Sequence, residues 1–432
     1  MNKAFRRITY LSFFLLFFIL TPLFILYAIG YRYNFDSNTV QKNGAFYVKS
    51  YPRGSEIYID NIKSRHKTPN QLTNMQPGNH DIMIMRDGYL PWQKNLPVYS
   101  GETTFAEDIV LFLEQRTKTS FGRGSDNFLI NKQKDKYAYI DNYDLLDNDV
   151  LMITDIEQAK TQTISTMIPG YTLADWSVDN QYLLLKLQDN YSIFDINQKT
   201  TKPLPITSPD KIIWDDKESD TLWFLKNNKL YKYNTKNSNE ATPVKINNPI
   251  IDFDIHDDYL ILQYNINDSY FVQQLDKNNL ENIQTIENLT LGNLEVLRAS
   301  EKQIIFILGL KLYIKEDFKD MIIIPVTDAK MYGDRILLTN GHEIIVYNYQ
   351  DDWQELIDRS SHIVSDIIWH PNGSYFLNET NEITHITELD GRDKRNSVEI
   401  LNNPLKKLYL FNSKGDQLFI LTPEENFYLT IQ

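Results

Sequence analysis

An all-β chain carried behind one membrane-crossing helix is the fold class this sequence predicts, and three observations predict it. An uncharged apolar run of 24 residues lies between Arg7 and Arg32. The body beyond it is rich in Tyr (27) and Phe (22), with many Ile, Leu and Asn, which suit pleated, half-buried surfaces and tight turns better than helices. From residue 125 onward a hairpin pattern recurs with a period of about forty residues, the spacing of a β-propeller blade. In chain order the reading is a cytoplasmic tail and transmembrane signal anchor over 1–34, a small β-sandwich over 43–113, and a seven- or eight-bladed β-propeller over 117–432.

The first element is residues 8–31, which as a helix extend about 36 Å against a hydrocarbon core of about 30 Å. Pro22 is expected to kink it, and Tyr27, Tyr31, Tyr33 and Phe35 place its end near Tyr31 at headgroup level. Lys3, Arg6 and Arg7 precede the span and Arg32 alone follows closely. The positive-inside bias therefore leaves the N-terminus in the cytoplasm and exports the rest, giving a single-pass protein with extracytoplasmic domains. The alternative is a cleaved signal peptide, against which stand the length of the run and the lack of a clean small-x-small cleavage site.

Charge sharpens this division. Residues 1–34 carry +4 and no acid, so with a formal net charge of −13 the remainder carries −17. Residues 43–113 balance at seven basic and seven acidic side chains, which puts the acidic excess on the C-terminal body. An acidic surface repels a phosphate backbone, and nucleic acid is not expected as a partner.

Over 43–113, apolar alternation in AFYVKS, SEIYID, HDIMIMR and DIVLF is separated by Pro52, Gly54, Pro77, Gly78 and Gly88, the pattern of a small antiparallel β-domain. Its residues resemble the PEGA domain family. The family's Pro-Glu-Gly-Ala stands as Pro52, Arg53, Gly54 and Ser55, followed by Ile57, Tyr58, Ile59 and the turn residue Asp60. Thr68-Pro69, then Leu72, Pro77, Gly78 and His80, then Gly88-Tyr89 complete the order. The resemblance implies a compact sandwich of short strands, associated with a cell envelope and without catalysis. The basic cluster Lys63, Arg65, His66 and Lys67 reads as a solvated loop, or as a contact for anionic headgroups or wall polymer.

In the repeating body, eight hairpins can be aligned, among them YLLLKLQDNYSIFDIN, LWFLKNNKLYKYNT and ILLTNGHEIIVYNY. Asn227-Asn228 and Asn340-Gly341 occupy turns where positive φ is expected. Ahead of the hairpins stand Trp176, Trp214, Phe253, Val296, Met331, Trp369 and Tyr409, advancing by 35 to 43 residues. A blade has an uncovered apolar face that only neighbouring blades can bury. Eight units are counted, with seven as the alternative, and a strand from residues 117–130 is expected to complete the last one. ADWSVDNQYLLL and IIWHPNGSYFLN resemble the Trp-Ser-Pro-Asp-Gly repeat of Tol-type propellers of bacterial envelopes.

Chemistry is scarce. There is no cysteine, hence no disulfide, thiolate metal site or cysteine nucleophile. His66, His80, His256, His342, His362, His370 and His385 show no zinc spacing, and no nucleophile elbow or phosphate loop is present. Asp141, Asp144, Asp147 and Asp149 invite calcium but lack the spacing of an EF-hand loop, and Asp215-Asp216 and Asp351-Asp352 read as turns. No catalytic, cofactor or metal residue is assigned. The expectation is a membrane-anchored envelope protein, not an enzyme, whose propeller binds a protein or glycan; a hydrolase with carboxylates in the propeller funnel is the alternative.

Overall fold

The computed structural model describes residues 3–34, 39–143, 148–167, 169–236, 240–403 and 408–432. The chain divides into two compact units. Unit 1 comprises residues 1–116, 387–398 and 431–432, and unit 2 comprises 117–386 and 399–430.

Unit 1 begins with the helix Lys3–Ala28, which contains Pro22. Its segment Arg6–Ala28 is long and apolar enough to cross a membrane by length and composition, and none of its most apolar stretch is buried in the protein. The helix ends three residues before the expected limit. Gly30, at φ +100°, turns the chain, and Tyr31–Asn34 then pairs antiparallel with Thr39–Lys42 as a two-stranded ribbon. Tyr31 thus opens a strand, because the positive φ that ends the helix is one glycine adopts without strain.

Two further sheets follow in unit 1. Gly44–Tyr51 lies between Asn70–Met75, antiparallel, and Thr103–Val110, parallel. The other sheet has the order Ile62–Lys67, Glu56–Ile59, Gly78–Met85, Trp92–Val98. Phe46, Val48 and Ile109 of the first sheet share one core with Ile57, Ile82, Ile84, Trp92 and Leu96 of the second. Each such buried side chain contributes about 1.5–3 kcal/mol. The PEGA-like motif builds the turn that holds these strands. Gly54 N–H donates to Thr68 O (2.7 Å), Ser55 N–H to Thr68 Oγ1 (3.1 Å), and Ser55 Oγ to Pro52 O (2.8 Å).

One position breaks the apolar alternation of Trp92–Val98. Lys94 is fully buried, and its ammonium donates to Asp390 O (2.5 Å) and Arg392 O (3.0 Å), with Glu388 Oε2 at 3.3 Å. Glu388 also accepts from Trp92 Nε1 (3.0 Å) and Asn396 Nδ2 (2.9 Å). A buried charge needs a partner and further hydrogen bonds, and residues 388–396 supply both.

Unit 2 is built from four-stranded antiparallel sheets, eight of them among the described residues. In seven, the strands follow each other in chain order. Their first strands are Phe128–Ile130, Thr172–Trp176, Lys211–Trp214, Ile250–His256, Leu294–Ala299, Asp328–Tyr332 and Val364–Trp369. The eighth combines Leu408–Phe411, Gln417–Leu421 and Glu425–Thr430 with Thr117–Arg123, which pairs antiparallel with Glu425–Thr430. The seven residues from Trp176 to Tyr409 that mark the repeat all fall on first strands, and the aligned hairpins supply the second and third. Asn227, Asn228 and Gly341 have the expected positive φ (52°, 60° and 97°), whereas Asn340 does not.

Successive sheets share cores. Ala138 and Met167 of the first pack with Trp176 and Leu183 of the second, and the same holds from the second sheet to the sixth. Trp369 of the seventh lies on Tyr332 of the sixth and donates to Lys330 O (2.8 Å). His370 contacts Phe411 of the eighth, and Leu410 and Phe419 of the eighth pack with Tyr137 and Tyr139 of the first.

Candidate functional site

The first strands of unit 2 carry a repeated device. Asp175 accepts from the N–H of Trp176 (2.8 Å) through one oxygen and from the N–H of Trp214, on the next sheet, through the other (2.7 Å). Asp252 does the same with Phe253 (2.8 Å) and Leu294 (2.9 Å), and Asp254 with Ile255 (2.9 Å) and Val296 (2.8 Å). Asn127 Oδ1 takes the N–H of Leu173 (3.1 Å). First strands of neighbouring sheets are thus tied by side chains where no strand ladder joins them, satisfying backbone donors at the sheet edge.

Asp175 and Asp254 also line a cavity of about 230 Å³ together with Lys132, Trp176, Trp214 and Asp216. Lys132 forms an ion pair with Asp216. Burial pushes Asp175 and Asp254 up to about 6 against their backbone hydrogen bonds, and the charge of Asp216 adds to it. Asp366, on the first strand of the seventh sheet, is likewise pushed up to about 6 by burial and by Asp328. His256 is held below the ordinary histidine value by burial. The indole N–H groups of Trp176 and Trp214 are buried without a hydrogen-bond partner among the described residues. The cavity therefore offers carboxylates that gain protons in mildly acidic solution and one half-exposed lysine. Asp175 and Asp254 already have both oxygens engaged by backbone N–H groups.

Other residues singled out in the sequence have structural surroundings. His80 joins Asp60 (2.7 Å) to Gln76 O (2.8 Å), and Asp60 lies below its usual range because the bonds from His80 and Asp81 N–H outweigh burial. His370 is buried between Asn372 and Gly415 O. His342 is within 3.3 Å of Ser360 O. His66, Lys63, Arg65 and Lys67 lie on the exposed edge strand Ile62–Lys67, not in a loop, and Lys63 pairs with Glu56 (2.6 Å). Of the acidic segment 141–149, Asp144 and Asp147 lie outside the described residues, and Asp149 accepts from Gly170 N–H (3.0 Å). Among the described residues no group of three or more His, Asp or Glu side chains is placed to hold a metal.

Asp351 and Asp352 stand in a turn as expected, Asp352 accepting from Tyr347 OH (2.7 Å). Asp215 is more than a turn residue. It takes the N–H groups of Lys217 and Glu218 (2.9 Å each), the indole N–H of Trp223 (2.9 Å) and the buried ammonium of Lys277 (2.7 Å). Lys277 is 62 residues away, a separation at which sequence pattern carries no pairing signal.

Residues 43–109 match the PEGA domain family. No curated protein matches the chain in sequence. Among solved structures, the chain is similar to a eukaryotic initiation factor (12% identity, TM-score 0.52, 72% of this chain and 91% of the other). Two others are the Dos1 propeller (12%, 0.49, 73% and 94%) and BamB from Moraxella catarrhalis (8%, 0.46, 72% and 99%). At such identities likeness concerns fold alone.

Proposed function

We propose that this chain is a bacterial-type envelope protein, anchored by its N-terminal helix with the N-terminus in the cytoplasm. In this reading its eight sheets form an eight-bladed β-propeller outside the cytoplasm that binds a protein or glycan. One observation carries the architecture: consecutive sheets share cores, and the first strand of the series completes the last sheet. The Trp-Ser-x-Asp turn, in which Ser177 Oγ donates to Asp179 (2.8 Å) and accepts from Tyr182 N–H (2.9 Å), supports likeness to Tol-type repeats.

Binding is favoured over hydrolysis because the two proton-binding carboxylates of the cavity act as ties between strands. A glycosidase-type acid needs an oxygen free for substrate. Lys132, half-exposed at the cavity, fits a ligand that presents hydrogen-bond acceptors or negative charge.

The test compares the detergent-solubilised native chain with Lys132→Glu in envelope extract and against glycan substrates. A partner retained by the native chain and lost at least tenfold by Lys132→Glu, without turnover, is expected. Glycan cleavage that disappears in Asp254→Asn would establish the hydrolase instead.

A further inference from the structure

We propose that unit 1 makes a second membrane contact beside its helix: the ribbon Tyr31–Asn34/Thr39–Lys42 and the adjoining turn Tyr99–Gly101 form a surface that seats on lipid headgroups. This rests on the reading of the helix as a membrane anchor.

The helix is bonded directly into the β-structure that follows. Asn43 N–H donates to Gly30 O (3.0 Å) and Asn43 Nδ2 to Asn74 O (3.0 Å). Arg32 lies over the ring of Tyr27 at 3.6 Å and donates to Tyr27 O (2.6 Å) and Asn74 Oδ1 (3.3 Å). The register places Tyr31 opposite Lys42 and Tyr33 opposite Val40. Ser100 Oγ donates to Lys42 O (3.0 Å), and the Lys42 side chain lies so close to Gly101 that a Cβ there would stand 2.9 Å from Nζ. Tyr99 therefore stands beside the ribbon, not elsewhere on the sandwich.

This surface is apolar and aromatic where solvent alone would not demand it. Tyr99 is 57% exposed, Val40 58% and Tyr33 49%, continuing a row of exposed apolar side chains that runs the length of the helix. Arg32 and Lys42 supply positive charge, and Asp36 between the two strands and Glu102 directly after the turn are the nearest acids in sequence. Tyrosine rings with Arg and Lys are the side chains that settle at a membrane–water interface. Distance agrees: two residues along a strand cover about 7 Å, and the headgroup layer adds about 5–8 Å to each side of the hydrocarbon core. Tyr31, Lys42 and Tyr99 begin in that layer, and Tyr33 and Val40 lie one such step further along.

The natural chain has no cysteine, so single nitroxide labels can be placed on the full-length protein in phosphatidylcholine–phosphatidylglycerol vesicles. Power saturation with oxygen and with a water-soluble nickel chelate reads their depth. Labels at Tyr99→Cys and Val40→Cys should collide with the chelate several-fold less than one at Phe318→Cys, a fully exposed position of unit 2. If both are as accessible as Phe318→Cys while Leu16→Cys reads deep in the bilayer, the headgroup contact is overturned and the anchor stands. A chelate-accessible Leu16→Cys overturns the anchor itself.

Discussion

Asp175, Asp254 and Asp366 hold protons more tightly in the folded chain than their ordinary value of 3.8, each being pushed up to about 6 by burial. The folded state thus binds more protons than the unfolded one between these values. The stability this contributes is full below about 4 and is lost as pH rises through about 6. His256 and His370, held low by burial, oppose this trend in acid, so the informative quantity is a difference between variants. The stability of the native chain relative to Asp175→Asn/Asp254→Asn/Asp366→Asn should be greater at pH 5 than at pH 7, read from thermal midpoints. A difference that is constant or reversed would show that these carboxylates are ionised in the fold. In the sequence these residues are unremarked acids in apolar strands, and the signal that could have found them is their position. Asp175, Asp252 and Asp254 recur next to the marker aromatics Trp176 and Phe253.

At the scale of elements, the segment 388–396 shows what local pattern conceals. The hairpin reading of YFLNETNEITHITELD is correct for its two strands, yet Glu388 and Asp390 at its end, with Arg392 just beyond, supply the partners of Lys94, almost 300 residues earlier in the chain. Lys94→Met leaves Glu388 buried without its cation, and removing one partner of such a pair costs about 3–5 kcal/mol. Hydrogen exchange in Trp92–Val98 should accelerate accordingly, and Lys94→Met/Glu388→Gln should recover much of the protection. Equal exchange in the single and double variants would show that the charge pairing carries no weight. The turns were legible where chemistry is local, as at Asn227-Asn228. Strand Ile62–Lys67 is largely exposed and Asn70–Met75 buries only Leu72, so neither gave alternation to read.

For the whole molecule, the repeat of about forty residues was legible because the marked positions from Trp176 to Tyr409 set an apolar or aromatic side chain of a first strand against the preceding sheet. The cavity was not, since its members come from separate repeats and meet only through the arrangement of sheets. In the proposed propeller the sheets close on themselves through Thr117–Arg123, which pairs with Glu425–Thr430. Thr119 and Tyr428 are direct partners in that pairing. Antiparallel partners stand about 4.5–5.5 Å apart at Cα, within the range a disulfide spans. In this cysteine-free chain, Thr119→Cys/Tyr428→Cys should oxidise nearly completely to a covalently closed loop of faster gel mobility. The same chain carrying both thiols in the folded state, with no bond formed under oxidant, would contradict the closure on which the account rests.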